Sequence, residues 1–87
     1  MRIDDFLSTI GIIKRRTVAK ELGTTGLLEV NGRRVKPAYD VQVGDIIRIR
    51  GSRPTALEVL AVPSGSVAKE SRDAYFKALP TESVSLR

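Results

Sequence analysis

The amino-acid sequence predicts a small α+β domain in which an αα unit packs on a mainly antiparallel sheet, with a helix near the C-terminal end. Three observations lead to this reading. Apolar residues near the start recur at helical spacing, the period shortens to two from Leu27 around an Asn-Gly pair, and a weaker helical stripe returns after Pro63. With 87 residues, 41% hydrophobic and 29% charged, the chain has the balance of one folded domain with a modest core.

The first helix is expected over residues 3–10, where Ile3, Phe6, Leu7 and Ile10 fall at i, i+3, i+4 and i+7. Asp4 and Asp5 lie in its first turn, where the helix dipole and free backbone N–H groups favour carboxylates, and Gly11 marks its end. Ile12 and Ile13 then enter the core between two helices. The second helix is expected from Thr17 to Leu22, beginning at Thr17 or the residue before it and stopping at Gly23. Val18, Ala19 and Leu22 are its expected buried stripe, and Lys14-Arg15-Arg16 form the basic connection between the helices.

Leu28 to Val35 reads as a hairpin around Asn31-Gly32, because a two-residue turn of this type needs positive φ angles that Asn and Gly tolerate. Such a turn pairs Val30 with Arg33, Glu29 with Arg34 and Leu28 with Val35. Leu28, Val30 and Val35 then share the core face, and Arg33 splays outward at the tip. Val43-Gly44-Asp45 is a turn into a strand over 46–50, with Asp45 in a structural role, and a further strand is expected over 55–62. Arg48 and Arg50 share one face of their strand and are expected to pair with Glu58. Residues 63–66 form a linker. Val67, Ser71, Ala74, Tyr75 and Ala78 make a helical stripe with Ser66 as N-cap and Pro80 as stop, and residues 81–87 are expected to fray. This divides the chain into a domain over 1–62, a linker and helix over 63–80, and a flexible tail over 81–87.

Composition removes whole classes of chemistry. Without Cys or His there is no disulfide, no thiolate, no Ser–His or Cys–His triad and no conventional zinc set, so neither metal nor cofactor is expected. Asp4 and Asp5 diverge by about 100° on a helix and cannot converge on one proton or metal. Asp40, Asp45, Glu58 and Glu70 show no paired spacing, and the glycines form no phosphate loop. A non-catalytic binder is therefore expected. No segment resembles a signal peptide or a membrane span, which points to the cytoplasm.

The charge is localised. Residues 14–36 hold Lys14, Arg15, Arg16, Lys20, Arg33, Arg34 and Lys36 against Glu21 and Glu29, a surplus equal to the +5 of the whole chain. A helix pair packed on a hairpin can gather these cations on a surface suited to a phosphate backbone. A solvated face, or one that docks an acidic protein, would carry the same charge. Arg2 can likewise bind phosphate or pair with Asp4 or Asp5. With Phe6 in the core, Tyr39, Tyr75 and Phe76 are too few for a base-stacking platform, which favours recognition of folded RNA by shape.

Arg2-Ile3-Asp4-Asp5-Phe6-Leu7, Lys14 to Leu22, Val30 to Pro37 and Val43 to Ile47 together resemble the S4 RNA-binding domain. The likeness covers residues 1 to about 50 and implies the S4 (alpha-L) fold, with residues 1–62 as the RNA-binding domain. Because the module nearly fills the chain, it is similar to stand-alone S4 proteins related to the bacterial heat-shock protein of large ribosomal subunits. It is especially similar to the RqcP-type family of ribosome-associated quality control. That resemblance implies binding to rRNA and tRNA on a large (50S) subunit, beside a factor that elongates stalled chains, by a protein that is a monomer off the ribosome. It also implies RNA contacts by Arg2, Lys14, Arg16, Lys20, Arg34 and Lys36, to which proximity adds Arg15 and position at the tip adds Arg33. The chain departs from the pattern at Asp5 and Leu27, both often basic in these relatives, and at Ser8-Thr9, which leave the first helix's outer face uncharged. An adaptor for an acidic protein, or a regulator of another structured RNA, are the competing readings.

Overall fold

A computed structural model describes residues 1–51, 54–64 and 67–80, with the backbone alone for Lys69. Two helices, α1 (Ile3–Thr9) and α2 (Arg16–Thr24), precede strands β1 (Leu28–Val30), β2 (Arg33–Arg34), β3 (Ile46–Ile49) and β4 (Thr55–Val59). A 3-10 helix (Lys69–Ala74) and strand β5 (Phe76–Leu79) follow. The five strands form one antiparallel sheet in the order β2-β1-β3-β4-β5.

The helical period of α1 places Ile3, Phe6 and Leu7 wholly out of solvent. They join Ile10 and Ala19 in one cluster with Leu28, Val30, Ile47, Ile49, Leu57 and Val59, inward-facing residues of β1, β3 and β4. Each of the larger side chains contributes roughly 1.5–3 kcal/mol relative to exposure, so this cluster is the main source of stability. The hairpin has the expected register, Glu29 opposite Arg34 and Val30 opposite Arg33. Its turn uses positive φ at Asn31 (54°) and Gly32 (85°). Val35 continues the pairing by donating its N–H to Leu28 O at 3.0 Å and packs against the core.

Helix α2 runs past its expected end. Gly23 is a buried interior residue, and the helix closes two residues later in a Schellman motif: Gly26 N–H reaches Gly23 O at 3.3 Å and Leu27 N–H reaches Leu22 O at 2.8 Å. Gly26, at φ 80°, is the terminating glycine. Gly23 serves close packing instead, for a Cβ there would lie 2.6 Å from Cγ and 2.9 Å from N of Pro37. The buried stripe is also narrower than expected. Ala19 is buried and Leu22 partly so, but Val18 is 42% exposed, because Ala19 and Gly23 make the close contacts.

The largest departure is at the C-terminal end. The expected helix over 67–79 is a six-residue 3-10 helix followed by β5, which pairs Phe76 with Val59 and Leu79 with Ala56. The stripe there is weakly apolar, and Phe76, the largest apolar side chain of the segment, lies outside it and next to Tyr75, an arrangement a helix cannot direct to one face. Pairing with β4 gives Phe76 a place against the core and satisfies backbone groups along that strand. Tyr75 O accepts from Leu60 and Ala61 just beyond β4, which itself stops at Val59 and not at Val62. The proposed Ser66 cap and the tail over 81–87 lie outside the described residues.

Candidate RNA-binding surface

The start of the chain is stitched to the segment after the hairpin. Ile3 donates to Tyr39 O at 2.8 Å, Asp4 to Pro37 O at 3.3 Å, and Val41 to Met1 O at 2.9 Å. These bonds hold Arg2, the residue preceding α1, in extended backbone while its side chain turns back over the helix. Arg2 Nε donates to Asp4 Oδ1 at 3.1 Å and Arg2 Nη2 to Asp4 Oδ2 at 3.0 Å, a two-point contact. Arg16 Nε lies 4.0 Å from the same Oδ1. Asp4 is fully buried, yet its two cationic partners are about half exposed, 45% and 53% at the side chain. A buried carboxylate thus gathers the starts of both helices and presents two guanidinium groups outward.

Lys14, Arg15 and Lys20 flank this pair on the connection and on α2, exposed and without an ion-pair partner among the described residues. Lys36 is brought to the helix pair by its neighbour Pro37, which packs against Gly23 of α2 and accepts from Asp4 N–H. Arg33 and Arg34 are exposed but adjacent on one strand, so they leave opposite faces of the sheet. Arg34 extends along Gly26 at the end of α2, where a Cβ would meet its Cδ at 3.7 Å. Arg2, Arg16, Lys14, Arg15, Lys20 and Lys36 therefore lie on or beside the helix pair, Arg33 shares the face of its cross-strand partner Val30, and Arg34 leaves the opposite face, that of Glu29, with its stem beside Gly26.

Two carboxylates differ from sequence expectation. Glu29 pairs at 2.7 Å with Arg50, so Arg50 does not take Glu58, and Arg34 opposite Glu29 is not neutralised by it. β1 and β4 both flank β3, but Glu29 lies opposite Arg48, two residues from Arg50, whereas Glu58 lies opposite Ile46, at the other end of the strand. Asp45, buried as a turn residue, does more than turn the chain. It accepts from Asn31 Nδ2 at 3.1 Å, Tyr39 OH at 2.9 Å and Gln42 N at 2.9 Å, tying the hairpin tip to the segment that holds Arg2. Burial and then the Asp45 hydrogen bond and charge push the Tyr39 phenol above its ordinary pKa. The terminal ammonium of Met1, 2.8 Å away, holds the Asp40 carboxyl below its usual range.

The role of Asp4 escaped sequence reasoning in part. Its pairing with Arg2 is foreseeable from their proximity, but the approach of Arg16 requires the antiparallel return of the chain. The described residues include no group of three or more His, Cys, Asp or Glu able to hold a metal ion. Among them, no helix is long and apolar enough to cross a membrane.

Residues 1–47, from the chain start into β3, match the family described as S4 domain. The chain belongs to the S4 domain family. It is 34% identical over 76 residues to the Bacillus subtilis (strain 168) protein named RQC P-site tRNA stabilizing factor, covering 86% of this chain and 88% of that protein. A Streptococcus pneumoniae (strain ATCC BAA-255 / R6) protein of the same name is 37% identical over 76 residues, with 86% of each covered. These alignments exceed the S4 match in length, so the likeness extends past the helix pair and hairpin. The fold is shared with heat shock protein 15 of Vibrio cholerae, with a TM-score of 0.82 and 22% identity over 100% of this chain and 88% of that one. The resemblance read from the basic helical and hairpin motifs therefore holds at the level of family and fold.

Proposed function

We propose that this S4 domain protein binds structured ribosomal RNA and tRNA on the large (50S) ribosomal subunit without catalysis, in the quality control of stalled nascent chains. The observation that carries the reading is the pair of guanidinium groups that buried Asp4 holds at the starts of the two helices, flanked by exposed Lys14, Arg15 and Lys20. Arginine forks paired to a buried carboxylate suit phosphate oxygens and the shape of folded RNA, and the exposed lysines around them add attraction to the backbone. The names of the two relatives, RQC P-site tRNA stabilizing factor, support the same direction. Their likeness favours a cytoplasmic setting beside a factor that extends the stalled chain, and the RNA contacts assigned to Arg2, Lys14, Arg15, Arg16, Lys20, Arg33, Arg34 and Lys36 form part of the same proposal.

The test is co-sedimentation with isolated 50S subunits across a salt series. Wild-type binding should weaken steeply with salt, and Arg15→Glu with Arg16→Glu should weaken it by about two orders of magnitude at fixed salt. Unchanged sedimentation of that double variant would overturn the RNA reading.

A further inference from the structure

We infer that Arg72, on the 3-10 helix outside the S4 match, is an additional phosphate-binding residue of the RNA surface. The inference deepens the function proposed above and rests on it. Two observations point to Arg72. Its guanidinium packs closely against Gly11, the residue that ends α1: a Cβ at Gly11 would stand 2.6 Å from Arg72 Nη1, 3.2 Å from Cζ and 3.3 Å from Cδ. Any other residue at position 11 would push the side chain away. Moreover, Arg72 Nε is buried with no hydrogen-bond acceptor, and no carboxylate among the described residues pairs with the group.

Glu70 and Asp73, the acids of the same short helix, are exposed and do not reach it. A guanidinium that is partly buried and lacks a counter-charge is unfavourable in the free protein, and an anion supplied from outside removes that imbalance. Its location says which anion. Gly11 is three residues before Lys14, hence within about 11 Å of it along the chain, so Arg72 adjoins the basic helix connection. The same phosphodiester backbone that meets Lys14 and Arg15 can meet the terminal nitrogens of Arg72.

The position is also held firmly. Tyr75 donates to Arg72 O at 3.1 Å, its own carbonyl accepts from Leu60 and Ala61, and Phe76 begins β5 in register with Val59. The C-terminal segment thus acts as a clasp that starts on the sheet and lays one arginine against the helix connection. Packing against Gly11 orders this side chain before RNA arrives.

The experiment compares wild type with Arg72→Gln and Arg72→Lys for binding to isolated 50S subunits between 50 and 200 mM salt, with thermal unfolding recorded for each. Loss of one phosphate contact reduces the slope of log K against log salt by about 0.7–0.9. Arg72→Gln should show that reduction and about ten-fold weaker binding at the lowest salt, with its melting temperature unchanged or raised by removal of the uncompensated charge. Arg72→Lys should keep the slope. Equal slopes for wild type and Arg72→Gln, whether or not the melting temperature falls, would overturn the inference and leave Arg72 a packing residue. If wild type itself shows no salt-dependent binding, the proposed function fails first and this inference with it.

Discussion

Replacing Asp4 with Asn separates two explanations of how cations at the helix starts would bind RNA. The substitution keeps the shape of a fully buried side chain and removes its charge, raising the net charge of the chain from +5 by one. Bulk attraction alone would therefore make the variant bind a polyanion more tightly. Positioning predicts the reverse. Asn can accept at one oxygen, but its amide would face a guanidinium with a donor where Arg2 Nε or Nη2 now finds an acceptor at 3.1 or 3.0 Å. Arg16, 4.0 Å away, loses its only counter-charge among the described residues.

The cost follows from the geometry. Breaking a fully buried ion pair costs about 3–5 kcal/mol, while pairs exposed on both sides are worth about 0–1 kcal/mol. Here the carboxylate is buried and both guanidinium groups are half exposed, so about 2 kcal/mol of folding stability should be lost, a factor of roughly 30 in the folded-to-unfolded ratio. Urea unfolding measures this directly. The two released arginines must also be ordered again on binding, at about 0.5–1 kcal/mol each, which predicts roughly ten-fold weaker binding to 50S subunits. Asp5→Asn is the matched control. It makes the same change in charge at a carboxylate with no cationic partner among the described residues, and it should bind equally or more tightly. If Asp4→Asn bound as tightly as Asp5→Asn with stability within about 0.5 kcal/mol of wild type, the positioning argument would be refuted.

Two further substitutions test how the surface is supported. Gly23→Ala should destabilise by about 1–3 kcal/mol in urea unfolding, although the same change in an open helix interior gains about 1 kcal/mol, because the new methyl group falls 2.6–2.9 Å from Pro37 ring and backbone atoms. A stabilised variant would show that this contact yields easily. Asp40→Asn should remove an increment of stability that is present at neutral pH and absent in strong acid. The Met1 ammonium lowers the folded pKa of Asp40 below 3.8, so its contribution is present above that value and lost as pH falls through the lower folded value. The variant should be less stable than wild type at neutral pH and converge with it in strong acid, and parallel curves throughout would contradict the assignment.

What could be read in the sequence, and what could not, has a common physical origin. Helix α1 and the Asn31-Gly32 turn were legible because their determinants are local: an apolar face at one spacing, and two residues that tolerate positive φ. Gly23 misled because a glycine in a helical pattern can end the helix or admit a close neighbour, and only the distant Pro37 decides between them. Strand β5 was missed for a related reason. Four residues carry too little periodicity to oppose a helical pattern, and their conformation is chosen by the edge of β4. The basic surface was legible as a sum of charges, but its partition was not, because Asp4 reaches Arg16 and Glu29 reaches Arg50 only after the chain has folded back.

That partition changes what the charges can do. A count treats Arg2, Arg16, Lys14 and Lys20 as equals, and in an unfolded chain they are. In the folded protein Arg2 and Arg16 are held by a buried carboxylate, whereas Lys14 and Lys20 are exposed and have no ion-pair partner among the described residues. Held cations lose much of their rotational freedom during folding, so less is lost when they meet a phosphate, and they reward only an RNA whose phosphates match their spacing. Free cations adapt to any polyanion and contribute mainly through counterion release, which salt suppresses. Preference for one RNA shape should therefore depend on Asp4 and its two arginines, while the salt-sensitive part of affinity should depend on the lysines. Under the proposed function, a single carboxylate inside a cation-rich face, which a charge count records as a deficit, is the residue expected to turn attraction into selectivity.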